Sequence, residues 1–187
     1  MQITRTSEPA VEPVSLTELK DHLRIETADD DTYLNQLITV ARASCETYTS
    51  RSLITQEWTM LMTNYPAKQY IPLGYGPIQS ITSITSYLAD GTTEVMDNTT
   101  YYLTDTNMNG KAALNYNESW DSYTMRPINN VEVVFVGGYG LTGAEVPAPL
   151  RQGIIAYAAY MYECNDTESE MPDVVKSLWS PYRIIVL

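Results

Sequence analysis

Gly138-Tyr139-Gly140-Leu141-Thr142-Gly143 carries the spacing G-x-G-x-x-G, which at a strand-to-helix turn lets backbone amides cradle a pyrophosphate. A predicted strand, residues 131–136, precedes it. The next residues are Ala144-Glu145-Val146-Pro147-Ala148-Pro149, so the glycines open no helix and no βαβ unit surrounds them. The segment reads as a glycine-rich connection from a strand to a proline-started helix. Asp29, Asp30 and Asp31 offer hard carboxylate oxygens, but a calcium loop needs spaced ligands and a distal glutamate. Ahead of a predicted helix they read as capping residues. His22 has only Ser15 and Cys45 as sequence-near nucleophiles, and nothing indicates a triad; it reads as a surface helix histidine. Glu163, Asp166, Glu168 and Glu170 read as a solvated acidic face, with no sign of an enclosing pocket for acid–base work. Asn98-Thr99-Thr100, Asn117-Glu118-Ser119 and Asn165-Asp166-Thr167 match the glycosylation pattern, a chemistry that needs a secretory route. Cys45 and Cys164, with a single histidine in the chain, supply neither a disulfide framework nor a zinc-site spacing. Both are expected to be buried, reduced thiols. No catalytic residue, metal ligand or cofactor is assigned.

The elements that would position these residues fall into two textures. Val14-Ser15-Leu16-Thr17-Glu18 has the form of a helix start, Ser15 as cap and Glu18 completing a capping box. Leu16, Leu19 and Leu23 then share a face. Over residues 33–48, Leu34, Leu37, Ile38, Ala41, Cys45 and Tyr48 recur at steps of three and four, the stripe of a second, longer helix. From residue 53 the chain becomes β-prone, with strands predicted over 55–62, 78–88, 94–96, 101–104, 112–116 and 131–136. Asp90-Gly91 is the clearest hairpin turn and Asn109-Gly110 a second. Pro66, Pro72, Pro77 and Pro127 fall between the strands, and residues 117–130 read as a loop. Helical spacing returns at Pro147, where Leu150, Ile154, Ala158 and Met161 are flanked by Ile155, Ala159 and Tyr162, a face wide enough for a central helix. A short helix follows Pro172, carrying Val174, Val175, Leu178 and Trp179, and Pro181 stops it. The expected fold class is α+β, a helical bundle core with an inserted β-rich domain. Its boundaries are a leader over 1–13, helical core over 14–52 and 144–181, β-rich insertion over 53–143, and a tail over 182–187.

Composition bounds the function. The chain has 187 residues, 44% hydrophobic and 18% charged, which allows a real core and excludes the signature of disorder. Eleven basic against 23 acidic residues give a net charge of −12, which opposes a phosphate-binding surface. No secretory signal is visible near the N-terminus, and the longest apolar run, 153–162, is about half the roughly 20 residues a membrane span needs. Fifteen tyrosines beside one phenylalanine favour half-wet surfaces and interfaces. The tail, Tyr182-Arg183-Ile184-Ile185-Val186-Leu187, is apolar and β-prone and is expected to need a partner.

The order of these features resembles the head-to-tail connector, or adaptor, proteins of long-tailed bacteriophages and gene-transfer particles. Residues 13–24, Pro-Val-Ser-Leu-Thr-Glu-Leu-Lys-Asp-His-Leu-Arg, are similar to that family's opening, and the acidic Asp29-Asp30-Asp31 before a long helix continues the likeness. Residues 48–58 resemble its helix end and first strand, 77–84 its next strand, and 137–140 with Val146-Pro147 its return to the helical core. The resemblance implies a non-enzymatic virion protein at the head–tail interface, assembled in the host cytoplasm. It implies a homo-oligomeric ring, commonly of twelve, under the portal protein, with DNA passing through the lumen unbound. The ring would be a platform for the next tail-completion or tail-terminator protein. Within that frame Tyr182, Arg183, Ile184, Ile185, Val186 and Leu187 are the expected portal-docking residues. Arg42 and Arg51, on the long helix, are candidates for pairing with acids of a neighbouring subunit, intramolecular or solvated positions being equally open. The alternatives are a head-completion or tail-terminator ring at a neighbouring position, and a nucleotide-binding enzyme using Gly138 to Gly143.

Overall fold

The protein is described by a computed structural model over residues 1–164 and 170–184. It is an α+β protein. Its chain order is β1 (Gln2–Arg5), α1 (Leu16–Leu23), α2 (Asp31–Thr49), β2 (Gln56–Met62), β3 (Tyr70–Pro72), β4 (Ile78–Tyr87), β5 (Thr93–Val95), β6 (Tyr101–Thr104), β7 (Lys111–Leu114), β8 (Val131–Gly137), α3 (Ala148–Glu163) and α4 (Asp173–Trp179). The chain divides into two compact units, one of Met1–Glu8 with Thr55–Gly138, the other of Pro9–Ile54 with Tyr139–Leu187.

The first unit holds two antiparallel sheets, ordered β1-β2-β8-β4-β5 and β3-β7-β6. Alternation along β2 and β8 turns Trp58, Met60 and Met62 to the same side as Phe135, Val133 and Val131, their register partners, and all six are buried. In β4 the isoleucines stand three apart, at 78, 81 and 84, a spacing that a regular strand would send to opposite faces. Two register shifts, between Ile78 and Ser80 and between Ile81 and Ser83, bring Ile78, Ile81 and Ile84 opposite Gly137, Phe135 and Val133, which share one face of β8. Each bulge adds one residue and restores a core-facing side chain. The Asp90-Gly91 turn joins β4 to β5, with the Asp90 carboxylate accepting from the Thr92 amide and hydroxyl and Gly91 at φ +89°.

Two strands were not expected. Residues 1–8, read from the sequence as leader, supply edge strand β1, and β1 is held by side chains: Ile3 packs on the sheet core and the Arg5 guanidinium lies 5.2 Å over the Trp58 ring. The second, β3, is only three residues long and ends on Pro72, yet Ile71 is fully buried.

In the second unit, Ser15 caps α1 with the predicted box. Its hydroxyl accepts from the Glu18 amide at 3.2 Å, and its own amide donates to the Glu18 carboxylate at 2.8 Å. The same carboxylate pairs with Arg151 of α3. The hydrogen bonds from Ser15, reinforced by the Arg151 guanidinium, hold the Glu18 carboxyl below the ordinary glutamate range. Its stabilising contribution is therefore complete above the unfolded value of about 4.3 and is lost as pH falls through the depressed folded value. Glu18→Gln, which retains the box geometry but removes the charge, is expected to lower the urea midpoint at pH 7 and to match the parent chain at pH 3. Equal midpoints at both pH values would show that the Glu18 charge, with its Ser15 and Arg151 partners, contributes nothing.

Leu34, Leu37, Ile38, Ala41 and Cys45 of α2 pack with Leu150, Ile154 and Ala158 of α3 and with Val175 and Trp179 of α4. The Trp179 indole donates to the Leu150 carbonyl at 3.2 Å. It sits where Gly153 has no side chain, since a Cβ there would lie 2.1 Å from Nε1.

Candidate interaction surfaces

The glycine motif is explained by packing. Gly138 has φ +142°, a Cβ on Gly140 would lie 2.1 Å from the Glu145 carboxyl carbon, and one on Gly143 would lie 2.4 Å from the Pro13 carbonyl oxygen. Thr142 and Glu145 form a second capping box around the 3-10 turn Gly143–Glu145. The Glu145 carboxylate accepts from the Thr142 amide at 2.9 Å and its hydroxyl at 3.0 Å, and these bonds hold its carboxyl below the usual range. The position where a phosphate would need a free amide thus already holds a carboxylate of this chain. The dinucleotide reading has no geometric support.

The other candidates are also accounted for locally. Asp30 occupies the N-cap position of α2 without a capping side-chain bond; its carboxylate accepts from the Tyr162 hydroxyl at 2.7 Å. Asp31 pairs with Lys20 at 2.6 Å, so of the expected capping trio these two acids act by tethering α2 to other elements. His22 and Asp29 are exposed. Burial pushes the Cys45 thiol pKa upward, which removes its nucleophilic form; Cys164 is half-buried. Among the described residues no group of His, Cys, Asp and Glu could hold a metal ion, and no helix is long and apolar enough to cross a membrane.

Of the two arginines expected on the long helix, Arg51 falls past its end at Thr49 and cap Ser50, and Arg42 takes the intramolecular alternative. Its side chain is 4% exposed, with Nε 2.8 Å from Glu12 and Nη1 2.9 Å from Glu46. Arg51 donates from Nε to the Tyr182 carbonyl at 2.5 Å and lies beside Tyr139, whose hydroxyl pKa burial raises and the guanidinium opposes. Charged groups on a helix stripe drew attention in the sequence; the structure shows them committed within the chain.

The tail is divided. Tyr182 closes the 3-10 turn Ser180–Tyr182, the Arg183 guanidinium lies 5.4 Å over the Tyr48 ring, and Ile184 is 5% exposed with its amide donating to the Thr49 carbonyl at 2.9 Å. That carbonyl belongs to the last turn of α2, where no intrahelical donor remains. Ile184 therefore belongs to this chain's own core, with Tyr182 half-buried against it and Arg183 exposed beside Tyr48. Ile185, Val186 and Leu187 lie outside the described residues.

One surface carried no sequence signal. The outward side of α2, Thr32, Asn35, Gln36, Thr39, Val40, Ala43 and Thr47, is exposed and holds no charged residue. Two shallow grooves of about 640 and 500 Å³ run along it, the second bounded by Tyr48 and Met171. A polar, charge-poor helix face of this kind has no period that differs from ordinary amphipathicity, so sequence reading passes over it.

Residues 13–87 match the family model described as phage gp6-like head-tail connector protein. No curated protein matches significantly. Among solved structures, the fold is similar to a chain in the neck of an empty gene transfer agent particle computed with C6 symmetry, at a TM-score of 0.82 and 22% identity over 100% of this chain and 97% of that one. A chain of the native gene transfer agent virion gives 0.80 at 21% identity, and one from the native neck computed with C12 symmetry gives 0.78 at 22%, with the same two coverages.

Proposed function

We propose that this chain is a structural virion protein that forms a ring of twelve between the portal protein and the tail, continues the DNA channel, and presents the platform for the next tail-completion or tail-terminator protein. The observation that carries this reading is the full-length likeness to chains of gene transfer agent necks with C6 and C12 symmetry, joined to the connector-family match of residues 13–87. In this reading the helical unit is the ring's core, and the chain acts in the virion at the head–tail interface without enzymatic activity. The charge agrees with a conduit. Twelve copies of a −12 chain repel DNA wherever acids face the lumen, so the polymer slides without being gripped.

Docking on the portal falls to the end of the tail, Ile185, Val186 and Leu187, anchored at its root by Ile184. Each of these side chains gains roughly 1.5–3 kcal/mol on burial against about 1–2 kcal/mol of ordering cost per residue. One tail binds weakly, and twelve on one ring act together through effective concentration. Electron microscopy of tail-less, portal-containing capsids mixed with the full chain is expected to show added density of cyclic symmetry below the portal. A chain ending at Ile184 is expected to leave most portals bare. Bare portals with saturating full-length protein would overturn the connector reading, and equal occupancy by the shortened chain would overturn the docking role of the tail.

A further inference from the structure

Surface helices ordinarily turn their charges to water and their uncharged side chains inward. In α2 the apolar stripe faces inward as usual, but the two charged residues beyond its first turn are drawn inside as well. Arg42 and Glu46 are 3% and 2% exposed and bound to each other, while Thr32, Asn35, Gln36, Thr39, Val40, Ala43 and Thr47 face solvent. These positions lie opposite the core stripe of Leu34, Leu37, Ile38, Ala41 and Cys45. From Thr32 to Thr47 the face runs about 24 Å, at 1.5 Å per residue. Val40, at its centre, is 49% exposed and lines both grooves. The side chains toward its C-terminal half, Ala43, Ser44 and Thr47, are small, which allows another surface to approach the helix closely.

We infer that this charge-free face of α2 is a contact surface for a second copy of the chain, an inference that rests on the ring reading above. The occupant follows from charge. A chain of net −12 repels its own copies, and like charges brought together across an interface cost heavily. Copies of such a chain meet at least electrostatic cost where neither side adds an unpaired acid to the contact, and α2 provides such a strip by drawing Arg42 and Glu46 inside. Two acids on its flanks are tied down, Glu12 by Arg42 and by the Thr39 hydroxyl at 3.0 Å and Asp31 by Lys20. Because a cyclic ring is built from head-to-tail contacts, the strip meets a different surface of the neighbouring copy and not its own image.

The test uses the full chain and portal-containing capsids. Val40→Glu with Ala43→Glu places two acids on the strip at exposed positions, so circular dichroism and melting temperature are expected to match the parent chain. Ring occupancy below the portal is expected to fall at least about tenfold, whereas Val40→Thr with Ala43→Ser retains it. Unchanged occupancy with the two glutamates would overturn the inference. A second arm identifies the occupant: a photo-crosslinking amino acid replacing Ala43 in ring-bearing particles is expected to yield an adduct with the mass of two copies of this chain. An adduct with the portal protein would overturn the inference while leaving the connector reading intact. If the unsubstituted chain adds no ring at all, the connector reading fails, and the inference fails with it.

Discussion

Glu46→Ala is expected to destabilise the helical unit by about 3–5 kcal/mol, among the largest effects available to a single substitution here. The Glu46 side chain is 2% exposed. One carboxylate oxygen accepts from Arg42 at 2.9 Å and the other from the Leu53 amide at 3.1 Å. Truncation leaves a guanidinium in a dry site with one carboxylate partner fewer and orphans a buried backbone donor. The pair itself is a different quantity. Its Coulombic attraction is offset by the desolvation of both ions, so Arg42→Met with Glu46→Leu is expected to cost less than the single change, the remainder being the Leu53 amide, which both variants orphan. Urea unfolding followed at 222 nm, which reads the helices, checks both. The midpoint should drop for the single variant at unchanged slope, and a loss below about 1 kcal/mol for Glu46→Ala would show that water reaches Arg42 in its place.

The second large effect is at Trp179. This fully buried side chain lies 6.1 Å from both the Tyr48 and Tyr157 rings, tilted against one and edge-on to the other, with its indole hydrogen-bonded to Leu150. Trp179→Ala removes the largest side chain at the α3–α4 contact and is expected to cost about 3–5 kcal/mol. The loss reaches the tail. Trp179 ends α4 just before the turn that delivers Ile184 to the end of α2, so the same variant should expose the Ile184 amide to hydrogen exchange. Protection of that amide equal to the parent chain would show that the root of the tail is held by Thr49 and Tyr48 independently of α4. From the facing side, Gly153→Ala drives a methyl into the indole and is expected to destabilise despite the roughly 1 kcal/mol that alanine gains in a helix.

Both sites show where sequence reading reached its limit. The capping box at Ser15 and Glu18, the apolar stripe of α2 and the Asp90-Gly91 hairpin were legible because their determinants stand within a few residues of one another. Six of the eight strands among the described residues were found for the same reason. The edge strand β1 was missed because its partner, β2, is more than fifty residues away, and a four-residue strand with alternating exposure has little signature of its own. β3 was hidden by its length and by Pro72. The strand β4 was found, but its two bulges were not, since isoleucines three apart acquire meaning only against the register of β8.

For the candidate surfaces the division is sharper. Residue types excluded a metal site, a triad and a phosphate cradle as sequence patterns, and the acidic balance and family motif pointed to a structural role. Whether an arginine on α2 faces a neighbour or the chain's own interior cannot be read from periodicity, because Glu12 is thirty residues from Arg42. Likewise the contact between Arg51 and Tyr182 spans 131 residues. Local sequence by itself determined the helices, most strands, the turn glycines and the sign of the charge, all of which depend on short-range periodicity, steric preference and composition. Only the tertiary structure decided that α2 conceals its ions and presents a neutral face, that the motif glycines serve Glu145 and Pro13, and that the tail is rooted at Ile184. Those outcomes depend on which distant groups desolvate one another when the chain closes.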